Sequence, residues 1–505
     1  MSSIIHNRLS MIIILLCVFF ITGCNQAISY KRPQLLAQYG SYDCITSRLA
    51  NKNYSQVWDK MVSGFCLDTI YSQRVDREIE WFINNKAFLY RSITRAKPFL
   101  YHILKELERN NLPFELALLP IVESGYQPYA YSPSKAAGIW QFIPPTAKEY
   151  GLSRNWWYDG RRDIMQSTKA AAHFLRDMHR HFDKDWLLAI ASYNTGAGKV
   201  GRSIKKLKVL NGKPSFWDLD LPRETEVYVP KLLALRDIIS NPSSYGIKLP
   251  NIKNKPYVNL VSIEYPIDFY TFSIISNVSE KELYALNPGF NTWYFLPSFQ
   301  DRVFLPSSKI KEFKKRYKKV TKFIFSKKTH LIVKGDSLSH ISRKYNVSIK
   351  AIKKANNLKS DVIILGKKLK LPKNTALSDV DSIKIDGKKY IISQKSFKYH
   401  HIVKRYDNWY KIARMYNVSL SKLLKWNKAT KKTSLKVSNK VIIMMKTPIL
   451  SLTSEVKLRY VVNSGDTTAM VSTGFGIPRK KLMKINQIKN SKYLTAGKNL
   501  KITLK

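Results

Sequence analysis

Three segments in the C-terminal half of the chain repeat one residue spacing, and that repeat limits the fold more than any other feature. From Asp336, Asp407 and Asp466 an asparagine follows at the same interval, at Asn356, Asn427 and Asn486. Between them an aromatic (Tyr345, Tyr416, Phe475), a β-branched residue (Val347, Val418, Ile477) and an aliphatic (Ile352, Leu423, Leu482) keep register. Each unit opens with a short β-type run, such as His330-Leu331-Ile332-Val333, and closes with another, such as Lys368-Leu369-Lys370-Leu371. Helical spacing fills the middle, so the pattern predicts a small βααβ unit at 329–373, 399–446 and 459–504. Polar, lysine-rich stretches near 374–398 and 446–457 separate the units and predict beads on a string. Residues 246–320 contain Leu283-Tyr284-Ala285-Leu286-Asn287-Pro288-Gly289-Phe290, which matches the second half of the unit without its Gly-Asp opening. That stretch reads as a degenerate copy or a separate module.

Upstream the period changes. Leu100, Ile103, Leu104 and Leu107 follow the i, i+3, i+4, i+7 spacing of an amphipathic helix, and Ala171, Phe174, Leu175 and Met178 repeat it. Turn signals surround Tyr228-Val229-Pro230 before one further helix. A mostly helical domain is therefore expected over 98–245, preceded by a helical segment over 24–97 in which Trp58, Phe65, Trp81 and Phe82 anchor the core. At 505 residues, several folded units are needed.

Charge is the outlier in composition: 86 Lys plus Arg against 35 Asp plus Glu give a formal net charge of +51. Such a chain is drawn to polyanions, whether nucleic acid, anionic lipid or an acidic wall polymer, and its sign alone does not choose among them or exclude a merely solvated surface. The first residues narrow the compartment. His6, Asn7 and Arg8 precede an apolar run, Leu9 to Ile21, too short to span a membrane but suited to a signal peptide over 1–23. Ile21-Thr22-Gly23-Cys24 resembles the lipobox of bacterial lipoproteins, in which the thiolate of Cys24 takes the lipid. Asn25 in the next position implies, by the same resemblance, the periplasmic face of the outer membrane. Export removes the chain from nucleic acid, and no recognisable nucleic-acid module is present. Cys44 and Cys66 either bridge or remain two buried thiols; the spacing leaves both open.

The densest chemical signal is Ala117-Leu118-Leu119-Pro120-Ile121-Val122-Glu123-Ser124-Gly125-Tyr126. Pro120 must kink a helix or begin a new turn. Glu123 then sits near a helix end, where Gly125 lets the chain turn away. A carboxylate in apolar surroundings loses solvation, its pKa rises, and it serves as a general acid near neutral pH; a lone Glu at a helix end is otherwise a solvated surface residue. Trp156 and Trp157 stack on sugar rings or fill the core, the core being the commoner fate. His173, His179 and His181 do not form a metal set, because residues 179 and 181 face different sides of a helix.

Downstream follow Tyr131-Ser132-Pro133-Ser134, Gly138-Ile139-Trp140-Gln141-Phe142-Ile143-Pro144, Ala191-Ser192-Tyr193-Asn194-Thr195-Gly196 and Glu224-Thr225-Glu226-Val227-Tyr228-Val229-Pro230. With these motifs in this order, the stretch from about Leu112 to Leu235 resembles the lysozyme-like lytic transglycosylases, and the repeats resemble LysM modules. The resemblance implies a multidomain chain: a mainly α, lysozyme-like catalytic domain followed by small α+β LysM modules. It implies Glu123 as acid and then base, Ser132 and Gln141 at the N-acetyl region of the sugar, and Tyr193, Asn194 and Tyr228 along the groove. It makes peptidoglycan glycan strands the partner, with Asp336, Asn356, Asp407, Asn427, Asp466 and Asn486 as glycan-binding candidates and no metal or cofactor required. Most glycosidases use two carboxylates; these motifs single out one. The implied reaction cleaves the β-1,4 bond between N-acetylmuramic acid and N-acetylglucosamine and closes a 1,6-anhydro ring. A hydrolytic muramidase and a non-catalytic wall-binding scaffold are the alternatives. Two departures stand out. Gly196-Ala197-Gly198 replaces the family's usual Gly-Glu-Gly, and Thr467, Thr468 and Gly474 break the pattern of the third repeat, which either binds glycan poorly or only packs. Oligomeric state is left open, with a monomer the default.

Overall fold

The computed structural model describes residues 53–504 apart from 208–213, 265–266, 296–299, 325–326, 334, 346, 373–380, 386–387, 452–455, 464 and 490–493. The signal peptide, the lipobox with Cys24, and Cys44 lie outside the described residues. Cys66 is disulfide-bonded. No helix among the described residues is long and apolar enough to cross a membrane.

Helices build the first half: α1 (Val57–Ser63), α2 (Gln73–Asn84), α3 (Lys86–Ala96), α4 (Leu100–Arg109), α5 (Leu119–Ser124), α6 (Pro144–Glu149), α7 (Ile164–His181), α8 (Trp186–Thr195), α9 (Ala197–Lys206) and α10 (Arg223–Ser240). In α4 the predicted stripe, Leu100, Ile103, Leu104 and Leu107, is the buried one. The side chains of Asp163 and Asp185 cap α7 and α8 by accepting from Gln166 N and Leu188 N, at 2.8 and 2.9 Å. The N-terminal helices belong to this same body. Arg74 on α2 donates to Glu226 O on α10 at 2.6 Å, and Trp58 Nε1 donates to Pro250 O at 2.8 Å. Of the four expected anchors, Trp58, Phe65 and Phe82 are buried, but Trp81 is 42% exposed. It lies on the outer side of α2, away from Val75, Ile79 and Phe82, with its ring edge-on to Phe82 and Phe88.

The second half is built from small α/β units. Residues 258–306 contain β1 (Val258–Ser262), β2 (Ile267–Asp268), α11 (Phe269–Ser276), α12 (Glu280–Leu286), β3 (Tyr294–Phe295) and β4 (Arg302–Pro306), with β1 antiparallel to β4 and β2 to β3. Helix α13 (Ile310–Ile324) leads out. The repeats follow in the predicted βααβ order: β5 (Lys327–Leu331), α14 (Leu338–Tyr345), α15 (Ile349–Asn356) and β6 (Lys368–Pro372), then, past β7 (Asp381–Ile385), β8 (Lys388–Ile402), α16 (Trp409–Met415), α17 (Leu420–Trp426) and β9 (Lys440–Ser451), and finally β10 (Val456–Val461), α18 (Thr468–Phe475), α19 (Arg479–Ile485) and β11 (Asn499–Leu504). Each pair is antiparallel, with His330 opposite Leu369, His401 opposite Val441 and Tyr460 opposite Leu500.

The beads-on-a-string expectation is corrected. The described parts of the stretches read as linkers extend the second repeat's ladder, which runs from Ile391↔Ser451 to Ile402↔Lys440, with β7 added along β8. Lysine content suggests solvated coil; the interleaved β-formers Tyr390, Ile391, Ile392, Phe397 and Ile449 decide for strand. Packing is shared as well. The first repeat has its own small core around Ile341, Val347 and Ile352. A single larger core instead joins Trp156, Trp157 and Tyr158 of the helical body to the 258–306 unit and to the second and third repeats.

Candidate active site

A 3-10 turn over Phe114–Leu118 hands the chain to α5, with Pro120 in its first turn, where a missing N–H costs little. The helix ends at Gly125 in the left-handed region (φ +56°), where a Cβ would press on the Phe88 ring at 3.1 Å. Both neighbours of this end are fixed: Ser124 Oγ donates to Ile139 O at 3.0 Å and Tyr126 OH to Ala117 O at 2.6 Å. Glu123 is thereby held on a short, rigid helix end. Tyr228, buried on α10, donates its hydroxyl to Glu123 Oε1 at 2.5 Å.

Glu123 is half-buried as a residue, while protein atoms crowd its carboxyl. Burial is the main cause that pushes its pKa up to about 7; the Tyr228 hydrogen bond opposes the rise and the charge of Glu224 adds to it. Burial likewise pushes the Tyr193 and Tyr228 phenols well up, and the Glu123 charge adds to both. Tyr193 on α8 donates to Trp140 O at 2.7 Å. Its neighbour Asn194 ties α8 to α10, accepting from Thr225 Oγ1 at 2.7 Å and donating to Glu224 Oε1 at 3.3 Å. Glu224 thus stands beside the site, and its charge raises the Glu123 pKa. Ser132 and Gln141 lie on the loop between α5 and α6, and neither hydrogen-bonds to Glu123. Ser132 Oγ accepts from Ala136 N at 3.0 Å, and Gln141, itself at φ +48°, donates to Gly138 O at 2.7 Å.

Two other carboxyls are also pushed up to about 7 by burial, Glu115 and Asp268. Neither opens to water: Glu115 accepts from the N–H groups of Cys66 and Leu67 at 2.7 and 2.8 Å, and Asp268 caps α11. What distinguishes Glu123 is a raised pKa on a residue that is only half-buried, whereas Glu115 and Asp268 are fully buried. The histidines form no metal set among the described residues, and His179 is stacked on Trp186.

The Transglycosylase SLT domain family matches residues 101–216, the LysM domain family matches 330–372, 401–443 and 460–503, and the family "Lytic transglycosylase MltD, LysM-like domain" matches 257–322. The "Membrane-bound lytic murein transglycosylase D" of Escherichia coli (strain K12) is 31% identical over 386 residues, covering 74% of this chain and 82% of the relative. The chain belongs to the lytic murein transglycosylases. A "Putative tributyltin chloride resistance protein" of Alteromonas sp. (strain M-1) is 38% identical over 170 residues, 34% of this transglycosylase and 80% of that protein. "Membrane-bound lytic murein transglycosylase F" of Shewanella sp. (strain W3-18-1) is 31% identical over 144 residues, 27% and 28% of the two chains.

In the LysM modules of this transglycosylase, the repeated Asp and Asn are committed inside their own folds. Asn356, Asn427 and Asn486 each donate to two carbonyls, one on their helix and one on the closing strand, and accept from that strand's N–H, as Asn427 does with Leu423 O, Ile442 O and Ile442 N at 2.8, 2.9 and 2.7 Å. Asn287 does the same in the 257–322 module with Leu283 O, Phe304 O and Phe304 N. Asp336 and Asp407 accept from His330 and His401 Nε2 at 2.7 and 2.9 Å, while Tyr345 and Tyr416 hydroxyls meet the other ring nitrogens at 2.8 Å. In the third module Tyr460 replaces the histidine and donates to Asp466 at 2.6 Å. Exposed apolar residues, which carry no repeat spacing, also mark the modules. On the first module Val333, Val362, Ile364 and Leu365 are 50%, 72%, 55% and 64% exposed. Backbone bonds of Ile332 to Gly366 and Lys367 set Val333 and Leu365 on one edge. Tyr406 and Tyr410 stand out from the second module. Trp156 and Trp157 are core: Trp156 lies 4.9 Å from the Tyr416 ring and 6.1 Å from Trp293.

Proposed function

We propose that Glu123 alone carries the acid and base steps of peptidoglycan cleavage. Protonated Glu123 gives its proton to the glycosidic oxygen between N-acetylmuramic acid and N-acetylglucosamine, and the muramyl N-acetyl group supports the cationic centre. The ionised carboxylate, held by Tyr228 OH, then removes the proton of the same sugar's C6 hydroxyl, which attacks C1 and closes the 1,6-anhydro ring. That attack is intramolecular, and positioning of this kind can lower a barrier by roughly 7–11 kcal/mol. A pKa near 7 suits a group that must both give and take a proton. The observation that carries the reading is a carboxyl with a raised pKa on a half-buried residue, bonded at 2.5 Å to a buried tyrosine. Ser132 and Gln141 contact the sugar N-acetyl region, and Tyr193 and Asn194 line the groove.

The exposed apolar edge of the first module and Tyr406 and Tyr410 of the second stack against N-acetylglucosamine units. Tethered modules of this kind raise the concentration of cleft on strand even when each is weak. The enzyme works in the cell envelope, anchored through lipidated Cys24 to the periplasmic face of the outer membrane, and its surplus of lysine suits an anionic wall and lipid surface. Mass spectrometry of muropeptides released from purified sacculi tests the reaction. Products lighter by one water than the hydrolytic ones, absent with Glu123→Gln, are expected; hydrated reducing ends would make the chain a muramidase, and no release at all a binding scaffold.

A further inference from the structure

The third LysM module sits differently from the first. In the first, Ile332 N donates to Lys367 O and Gly366 N to Ile332 O, at 3.0 and 2.9 Å; in the third, Val462 N donates to Lys498 O and Gly497 N to Val462 O, at 2.9 and 2.8 Å. Gly366 and Gly497 are therefore the same turn position, at φ +77° and +82°. A Cβ on Gly366 would meet nothing within 4 Å, whereas one on Gly497 would lie 2.4 Å from Tyr129 O. The turn itself does not demand glycine, because Ser438 holds the matching bonds to Val403 in the second module at φ +72°. Contact with the catalytic domain is what excludes a side chain at 497.

The joint around that contact is built. Asn291 of the 257–322 module donates to Trp157 O and Asn155 O in the catalytic domain at 2.8 and 2.9 Å, and its carbonyl accepts from Val461 N of the third module at 2.9 Å. Tyr129 OH donates to Tyr284 O at 2.9 Å, and the Arg459 guanidinium of the third module lies 4.4 Å from the Tyr284 ring centroid. The departure at Gly474 reflects a second contact, with the second module, since a Cβ there would strike the Tyr399 ring at 2.7 Å.

We propose that the third LysM module has become a positioning element of the cleft: its Gly497 turn seats on Tyr129 O and fixes the loop that delivers Ser132. The edge left open for glycan in the first module is here spent on the catalytic domain. This rests on the reading of Ser132 as a sugar contact.

The test compares Gly497→Ala with Gly465→Ala in the full chain. Gly465 lies in the same module at φ +84° with nothing within 4 Å, so it reports backbone strain without the contact. Hydrogen exchange of the 127–137 segment is expected to quicken roughly fivefold to tenfold in Gly497→Ala alone, together with a raised KM for glycan strands. Unchanged exchange in Gly497→Ala overturns the docking, and quickened exchange with unchanged kcat/KM overturns the positioning. Protection of the 494–498 turn by N-acetylglucosamine hexamer in the wild-type chain overturns the loss of glycan binding. If Glu123→Gln keeps its turnover, the reaction assignment fails while the exchange result stands by itself.

Discussion

The catalytic domain and the LysM modules use buried polar side chains in opposite ways. In the modules, Asn287, Asn356, Asn427 and Asn486 have both ends of their amides satisfied inside the fold. In the catalytic domain the Glu123 carboxyl is crowded by protein and holds one hydrogen bond from Tyr228, on a residue that is only half-buried. A satisfied buried group stabilises a frame. A crowded carboxyl with a raised pKa costs stability when ionised, and functional sites are where such groups cluster. Recurrence along the chain thus goes with satisfied frame positions, which Glu123 is not.

That contrast can be broken most directly at Glu123. Glu123→Gln should lower turnover by about a thousandfold or more, since it removes acid and base together, and should raise the melting temperature at pH 8. The sign follows from the folded pKa lying above the ordinary 4.5: the stability from the protonated carboxyl is complete below about 4.5 and is lost as pH rises through about 7. At pH 4 the two proteins should melt together; a Gln variant less stable at pH 8 would contradict the contrast. Next in size, Tyr228→Phe removes the bond that holds the ionised form, so turnover should fall about tenfold to a hundredfold and the descending limb of the pH–rate profile should move to higher pH. A limb that moves downward would mean Tyr228 does not stabilise the carboxylate.

On the other side, Asn427→Ala removes the side-chain amide that pairs Ile442 O and Ile442 N, while Leu423 O keeps the backbone N–H of residue 427, and should destabilise the second module by about 2 kcal/mol or more, read by denaturant titration of the Trp409 and Trp426 fluorescence. A variant of full stability that fails to bind glycan would return the asparagines to the ligand surface. The smallest effect is expected from Leu365→Ser on the first module. It should weaken pull-down on glycan strands a few-fold, roughly the value of one partly buried side chain, with turnover on short soluble substrate unchanged.

Much of this was legible in residue order because it is local. The α4 stripe, the βααβ period, and the start of α5 at Pro120 follow from spacing and backbone chemistry within a few residues, and the motif around Glu123 marked the carboxyl. Tyr228 came to the site only by resemblance, since 105 residues separate it from Glu123. Glu224 carried no local sign of its influence, and the repeated Asp and Asn looked like ligand contacts because a spacing cannot tell a bond across the fold from a bond to a sugar. Trp81 was misread for a related reason: an aromatic on an amphipathic helix is assigned a face only once the helix has something to pack against.

What the sequence determined by itself was the buried stripe of α4 and the βααβ order of the repeats, because short-range periodicity and turn chemistry act before any long-range contact exists. The tertiary structure alone decided that the described parts of the supposed linkers are strands, that the third module leans on the catalytic domain at Gly497, and that burial pushes the Glu123 pKa up to about 7. Burial, close approach and desolvation are properties of neighbours far apart in the chain, and they take a value only when the whole has folded.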